Sequence, residues 1–350
     1  MEEEAEAGGD RCCWSWLPED VLLTVMGFME VPDVVRSGAA CSAWRAAAAA
    51  FRSHRLPTPR QPPCLLYACD AYGPDAAALY SPSTAATFRV PFRIPRAVAG
   101  AAHGWLFATD DEANPYLVNP VTGARATLPP ITTLDRVRSR ETLVVGGGGG
   151  VVYGVDVSPN RRGEYTAHHR GASARLDVAP SPRVRSHFHR RWYLAVTPRG
   201  ELLRVTRRWH QTAIVAPPDA SNGRWHVEHA VATTGVEVEE IRTPPPLATA
   251  ASTATAISVA GLGGCGDVAL FLGKSSAACI PTEGFPMLRP NCAYLTDDAG
   301  GDVVRSPAAR RDFGVWDFGS GRLQRLGDVW PLHHPWLYSP SPIWITPSLY

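Results

Sequence analysis

Lysine is almost absent from this chain. Of its 34 basic residues only Lys274 is lysine, and the rest are arginine. Alanine, glycine and proline are abundant alongside arginine, so biased codon usage accounts for the pattern. The chemical consequence stands regardless, because a guanidinium does not replace an amine as a ubiquitin acceptor. Charge of one sign is also lacking. A net charge of +1 gives no global field toward nucleic acid or an anionic membrane. No apolar run reaches the roughly 18 residues of a membrane helix, and there is no Asn-x-Ser/Thr sequon. The eight cysteines show no C-x-x-C spacing, and Cys12 and Cys13 are adjacent. They read as reduced thiols of a cytosolic or nuclear protein. The start, MEEEAEAGGD, is acidic and without an apolar h-region, so it is no secretory signal. Residues 1–12 are expected to be a disordered acidic tail.

What is present is organised around residues 16–51, WLPEDVLLTVMGFMEVPDVVRSGAACSAWRAAAAAF. Pro18 suits a helix's first position, and Glu19 and Asp20 follow in the positively polarised first turn. Leu22, Val25, Met26 and Met29 fall at i, i+3, i+4 and i+7, one apolar stripe. Val31-Pro32-Asp33 breaks that helix and starts another. Ser42 can cap a third, which carries Trp44 and runs into the alanines at 46–50. Three short helices cannot bury a core of their own, so the segment needs a partner, or packs as a helical hairpin on its own domain.

Leu17-Pro18, Asp20, Leu22, Val25-Met26, Met29, Asp33, Val35, Cys41-Ser42 and Trp44-Arg45 resemble, in order, the F-box pattern. Gly27 inside the first helix, Met29 in place of Leu and Ala40 in place of Val depart from it. The resemblance implies an F-box over residues 13–53. It would dock on a Skp-type adaptor through Leu17, Pro18, Leu22, Val25, Met26 and Met29, with Val35, Cys41 and Trp44 shaping the bundle or its contact.

Residues 54–63, HRLPTPRQPP, carry four prolines and read as a stiff linker. From Cys64 onward short β-like runs are broken by Gly, Pro, Asn and Asp. Tyr80-Ser81-Pro82, Val118-Asn119-Pro120, Val157-Ser158-Pro159 and Val196-Thr197-Pro198 each end such a run, with prolines about 40 residues apart. Turn signals continue at Thr234-Gly235, Gly273-Lys274-Ser275 and Gly319-Ser320-Gly321. A multi-strand unit at this period predicts a β-propeller over residues 64–350, of seven blades, with six as the alternative and a sandwich or barrel as the competing architecture. Residues 243–256 read as an insertion, and residues 146–150 as a loop tip. Residues 342–349 are expected to pair near the first blade and close the ring.

The phrases GDVALFLG (266–273), NCAYLTDD (291–298), GVWD (314–317) and PIWITPSL (342–349) resemble, in order, those of a flowering-plant family that joins an F-box to a KIB-type β-propeller. The fold class expected is therefore a small all-α F-box bundle followed by an all-β propeller. The resemblance implies the non-catalytic substrate-recognition subunit of a Skp-cullin-F-box ubiquitin ligase, in nucleus or cytoplasm. Its adaptor would link it to cullin and a RING subunit, and its propeller would bind a protein target. The alternative is an interaction or inhibitor protein outside a ligase, and a third class is an enzyme with its site in the propeller channel.

Other patterns point elsewhere and are weighed against plain structural roles. Gly261-Leu262-Gly263-Gly264-Cys265-Gly266 spells a dinucleotide fingerprint, but a strand-like run follows where a helix is required. Gly273-Lys274-Ser275 lacks the upstream glycine of a phosphate loop. His187 and His189 share one strand face, whereas His168-His169 and His333-His334 do not, and no cysteine or carboxylate pattern accompanies them as metal ligands. No cofactor is implied. Arg183–Arg191 and Arg204–Arg208, near Trp192 and Trp209, read as solvated strand faces in a chain of this charge rather than a nucleic-acid site.

Overall fold

Pro18 stands just before the first helix, α1 (Glu19–Met26), with extended φ and ψ of −56° and 150°. Its carbonyl accepts the Leu22 N–H at 3.1 Å. The helix stops at Met26, where the Gly27 N–H closes back on Leu23 and Thr24. Gly27 is thus an end signal and not an interior weakness, and Met29 lies beyond the helix, which cuts the expected stripe short. A second helix, α2 (Val31–Ser37), takes Pro32 in its first turn, where a missing N–H costs nothing. A third, α3 (Ser42–Ser53), begins at Ser42 itself; Cys41 precedes it in extended conformation and no side-chain cap forms. Ala46 to Ala50 carry the helix through their high propensity.

The computed structural model describes residues 13–55, 61–95, 97–112, 114–129, 142–146, 152–156, 164–169, 172–177, 188–216, 226–242, 258–296, 312–325 and 341–350. The chain divides into two units, Met1–Gln61 with Pro347–Tyr350, and Pro62–Thr346. In the first unit Leu22, Met26, Val31, Val34, Trp44, Ala47, Ala48 and Phe51 are buried. Leu349 of the tail is buried too, and the Tyr350 hydroxyl donates to the Phe51 carbonyl at 3.4 Å. Gln61 serves as a distant cap: its Oε1 accepts the Val31 N–H at 2.7 Å, a donor that α2 cannot satisfy internally.

The second unit is built from strands. The first sheet holds β1 (Cys64–Tyr67), β2 (Ala77–Ser81) and β3 (Ala86–Val90). The next holds β4 (Ala97–Ala102), β5 (Trp105–Thr109), β6 (Pro115–Val118) and β7 (Arg125–Thr127). A third contains β8 (Thr142–Gly146), β9 (Val152–Asp156), β10 (Glu164–His169) and β11 (Ala172–Asp177). A fourth contains β12 (Phe188–Val196), β13 (Leu202–Ala216), β14 (His226–Arg242) and β15 (Ser258–Leu262). The fifth has five strands, β16 (Val268–Leu272), β17 (Ala278–Pro281), β18 (Cys292–Leu295), β19 (Gly314–Asp317) and β20 (Arg322–Arg325), with β16 and β18 parallel. The last strand, β21 (Ile343–Ile345), returns to pair antiparallel with β1, Leu65 opposite Trp344. The expected return of the tail to the first blade is therefore present, and it covers an edge that would otherwise stand open.

Sequence alternation sets the packing. Leu65 and Tyr67 of β1 enter a core with Phe271, Tyr294, Val315 and Trp344. Cys64 and Leu66 enter another with Phe88, Leu106, Val118 and Ile343. A third core joins Tyr193, Leu203 and Val205 to Leu270, Ala293 and Trp316. A strand buried on both faces reads as a continuous apolar run, which is why CLLY, VALFL and IWI show no polar alternation.

The seven-blade expectation is corrected, and so is its six-blade alternative. Among the described residues there are four sheets of blade-like four-strand form and one of five strands. The proline marks do not occupy equivalent places. Pro82 and Pro120 both follow the third strand of their sheet's order, but Pro198 follows β12, the first strand of its own. Thr234-Gly235 is no inter-blade turn: β13 pairs with β14 across it, and the register shift between Arg208 and Trp209 makes it a β-bulge. One long hairpin thus takes the chain length that the period assigned to a further blade. Gly273-Lys274-Ser275 and Gly319-Ser320-Gly321 do lie between strands. Pro159, residues 147–150 and the insertion at 243–256 lie outside the described residues, as do residues 1–12 and residues 56–60 of the proline-rich linker.

Candidate partner-binding surface and propeller channel

The helical unit sorts the expected adaptor-binding residues into two sets. Leu22, Met26 and Trp44 are buried in its core, where they shape the bundle and offer no surface. The Trp44 indole N–H donates to the Trp14 carbonyl at 3.2 Å, which ties the 3-10 turn Cys13–Trp16 to α3. Leu17, Val25, Met29 and Cys41 are half-buried, and Pro18 and Val35 are exposed. Sequence reasoning passed over the two large apolar side chains that are most exposed among the described residues. Trp16 is 77% exposed and Phe28 is 83% exposed. Their signal was adjacency: Trp16 abuts Leu17-Pro18, and Phe28 lies in the turn between Gly27 and Met29. Asp33 near Glu30 has its carboxyl pushed above the ordinary range, first by burial and then by that neighbouring carboxylate.

The strand unit has a cavity of about 240 Å³. It is bordered by Ala101 of β4, Val196 of β12, Ile280 of β17 and Trp344 of β21. Each of these is the strand at one end of its sheet's order. Edges of four sheets that meet at one cavity mark the axial channel of a propeller. The turn at residues 273–276 also borders it and is held by the Ser276 N–H donating to the Ala101 carbonyl at 2.8 Å. At the rim, Ala102 and Trp105 flank a two-residue turn in which His103 and Gly104 have φ of 51° and 84°. Both values are positive, as a type I′ hairpin demands, and His103 occupies a place that asparagine or glycine fills more readily.

The comparison with known families follows from this geometry. The KIB1-4 beta-propeller family matches residues 79–174 and 151–317, more than half of the chain. The chain belongs to that family. No curated protein matches it. A KIB1-4 propeller fits a protein-interaction role, consistent with a channel and faces built from many sheets.

The remaining sequence candidates find structural roles in this KIB1-4 propeller. Arg204 pairs with Glu239 at 2.7 Å, and Arg208 pairs with Glu237, on the outer face of the β13–β14 hairpin. Arg207 points the other way and is 2% exposed. Its guanidinium donates to the Thr296 carbonyl at 2.7 Å, the Asp312 carbonyl at 3.0 Å and Thr233 Oγ1 at 3.0 Å, with the Asp312 carboxylate 3.5 Å away. His189 stacks on Trp209 with ring centres 5.7 Å apart, and the Arg190 guanidinium lies 4.9 Å above Trp192. His187 and His333-His334 lie outside the described residues.

The glycine-rich run at 261–266 leads into the buried strand β16 and not a helix. Asn291 explains part of it: its Oδ1 accepts the Cys265 N–H at 2.9 Å, and a Cβ at Gly264 would sit 2.1 Å from that oxygen. The thiols of Cys265 and Cys279 are each pushed up to about 12, mainly by burial. Lys274, expected on an exposed turn, is half-buried there.

Proposed function

We propose that this chain is the substrate-recognition subunit of a Skp-cullin-F-box ubiquitin ligase, in nucleus or cytoplasm. The helical unit is its F-box and docks on a Skp-type adaptor, which links it to cullin and a RING subunit. The KIB1-4 propeller holds a protein target. Its contribution is proximity, which raises the effective concentration of target lysines near the charged enzyme, and it performs no bond chemistry itself.

The observation that carries this reading is the apolar surface left on a unit whose own core is already filled. Trp16, Phe28, Pro18 and Val35 stay exposed while Leu22, Met26 and Phe51 are buried. Exposed aromatic and aliphatic groups on short helices favour a partner over solvent. The test is co-precipitation of a Skp-type adaptor by the full chain and by the Leu17→Ala/Pro18→Ala form. Loss of capture with an unchanged melting profile supports the reading, and undiminished capture overturns it.

A further inference from the structure

We propose that the groove between α2 and α3 is the seat of the chain's own acidic N-terminal segment, residues 1–10. The proposal stands apart from adaptor docking and holds with or without it.

The groove has a volume of about 150 Å³ and lies wholly within the helical unit. Val34, Ala48 and Leu349 give it an apolar floor, and Arg45 and Arg52 border it from α3. Seven residues apart, the two arginines share one face of that helix, about 10 Å from each other along its axis. Both are exposed. The Arg45 Nε donates to the Gly38 carbonyl at 3.2 Å, and the Arg52 Nε donates to the Ala48 carbonyl at 3.3 Å. These bonds hold each guanidinium at the groove and use one of its five donors. Among the described residues neither arginine pairs with a carboxylate. The acidic residues of this unit stand elsewhere: Glu19 and Asp20 open α1, Glu30 and Asp33 stand at the start of α2, and none of the four lines the groove. Two cations beside a small apolar floor favour an acidic segment whose other side chains are small.

The chain carries such a segment close by. Residues 1–10, MEEEAEAGGD, hold Glu2, Glu3, Glu4, Glu6 and Asp10, with alanine and glycine between them and no basic side chain. Its point of attachment is fixed next to the groove. The bond from the Trp44 indole to the Trp14 carbonyl keeps the turn Cys13–Trp16 against α3, one residue from Arg45. Glu6 lies seven residues before Cys13, a reach of up to about 23 Å, which is about twice the separation of the two arginines. A tethered ligand acts at an effective concentration in the millimolar range, so ion pairs that are individually weak suffice to seat it.

The test uses full-length chains and a synthetic peptide of residues 1–10, followed by NMR titration at low salt. In a neutralised chain Glu2, Glu3, Glu4 and Glu6 are all changed to Gln, which leaves the groove open. That chain is expected to bind the peptide with Kd of about 1 mM, weakened about threefold or more when salt is raised to about 0.3 M. The unchanged chain, its groove already occupied, should bind the peptide about threefold or more weakly than the neutralised one. Adding Arg45→Gln and Arg52→Gln to the neutralised chain should lower binding about fivefold or more. Adding Arg45→Lys and Arg52→Lys in their place keeps the charge and should retain most of it. Equal binding by the unchanged and neutralised chains overturns the N-terminal segment as the occupant and leaves the groove to an acidic segment of another protein. Absence of binding by the neutralised chain at about 10 mM peptide, or full binding without the two arginines, overturns the groove as the seat.

Discussion

The helical unit and the propeller use their apolar residues in opposite ways. In the propeller, β1, β16 and β18 bury every side chain, and the charges on the long hairpin pair across the strands. In the helical unit one small core is closed by Phe51 and Leu349, while Trp16 and Phe28 are left in solvent. The physical cause is the ratio of surface to volume: short helices have few inward positions, so part of their apolar sequence must face outward. A sheet ring doubles the buried area of each strand. The contrast separates a unit that leaves large apolar groups in solvent from one that completes itself through its last strand.

The largest effect should come from breaking that closure. A chain ending at Pro342 loses Ile343, Trp344 and Ile345, each contributing on the order of 1.5–3 kcal/mol by burial. Its cooperative melting transition is expected to disappear. A chain ending at Thr346 keeps β21 and loses Leu349, so its propeller transition should remain in calorimetry. Equal behaviour of the two forms would show that β21 is dispensable.

Next in size is the buried pair. Arg207→Met leaves the Asp312 carboxylate buried without its guanidinium, a loss of about 3–5 kcal/mol in denaturant unfolding. Adding Asp312→Leu should recover most of it. A comparable loss, about 3–5 kcal/mol, is expected for Phe51→Ala, which empties the small helical core. Phe28→Ala sharpens the comparison: stability should change by less than about 0.5 kcal/mol, while adaptor capture weakens by about tenfold.

Alkaline titration should reveal a smaller, graded loss. The thiols of Cys265 and Cys279 stay protonated in the fold to about 12, against an ordinary value of 9.0. The unfolded chain therefore releases protons first as pH rises, and stability that is complete below pH 9 falls between 9 and 12. Melting temperature across that range checks the sign, and iodoacetamide at pH 8 should label these thiols slowly in the native protein.

The smallest effect concerns Lys274. In a reconstituted ligase, self-modification should be slow and divided between Lys274 and the N-terminal amine, because the lysine is half-buried at its turn. Lys274→Arg should remove most internal linkage by mass spectrometry. Abundant linkage to Ser, Thr or Cys would show that scarcity of lysine protects nothing.

Much of this organisation was legible because it is local. Pro18, Pro32 and the alanines at 46–50 mark three helices by backbone preference alone. Unbroken apolar runs such as VALFL mark strands buried on two faces, and IWI marks the closing strand. The blade count was not legible, because a turn dipeptide has the same composition in a β-bulge as between strands. Thr234-Gly235 is the case in point: only the pairing of β13 with β14 across it makes it a bulge. The helix-face assignment failed at Met29 for a related reason, since the periodicity continued past the point where Gly27 ended the helix.

Composition and spacing by themselves determined a short helical segment ahead of a long β region and a single lysine, because each follows from local sequence. Tertiary structure decided which of Leu22, Met26 and Phe28 face outward, since exposure depends on what packs against each helix. It also decided that Arg207 is buried against Asp312, 105 residues away, and that His103, Val196, Ile280 and Trp344 border one channel. Those groupings arise where distant strand edges converge, and no spacing along the chain encodes a distance across it.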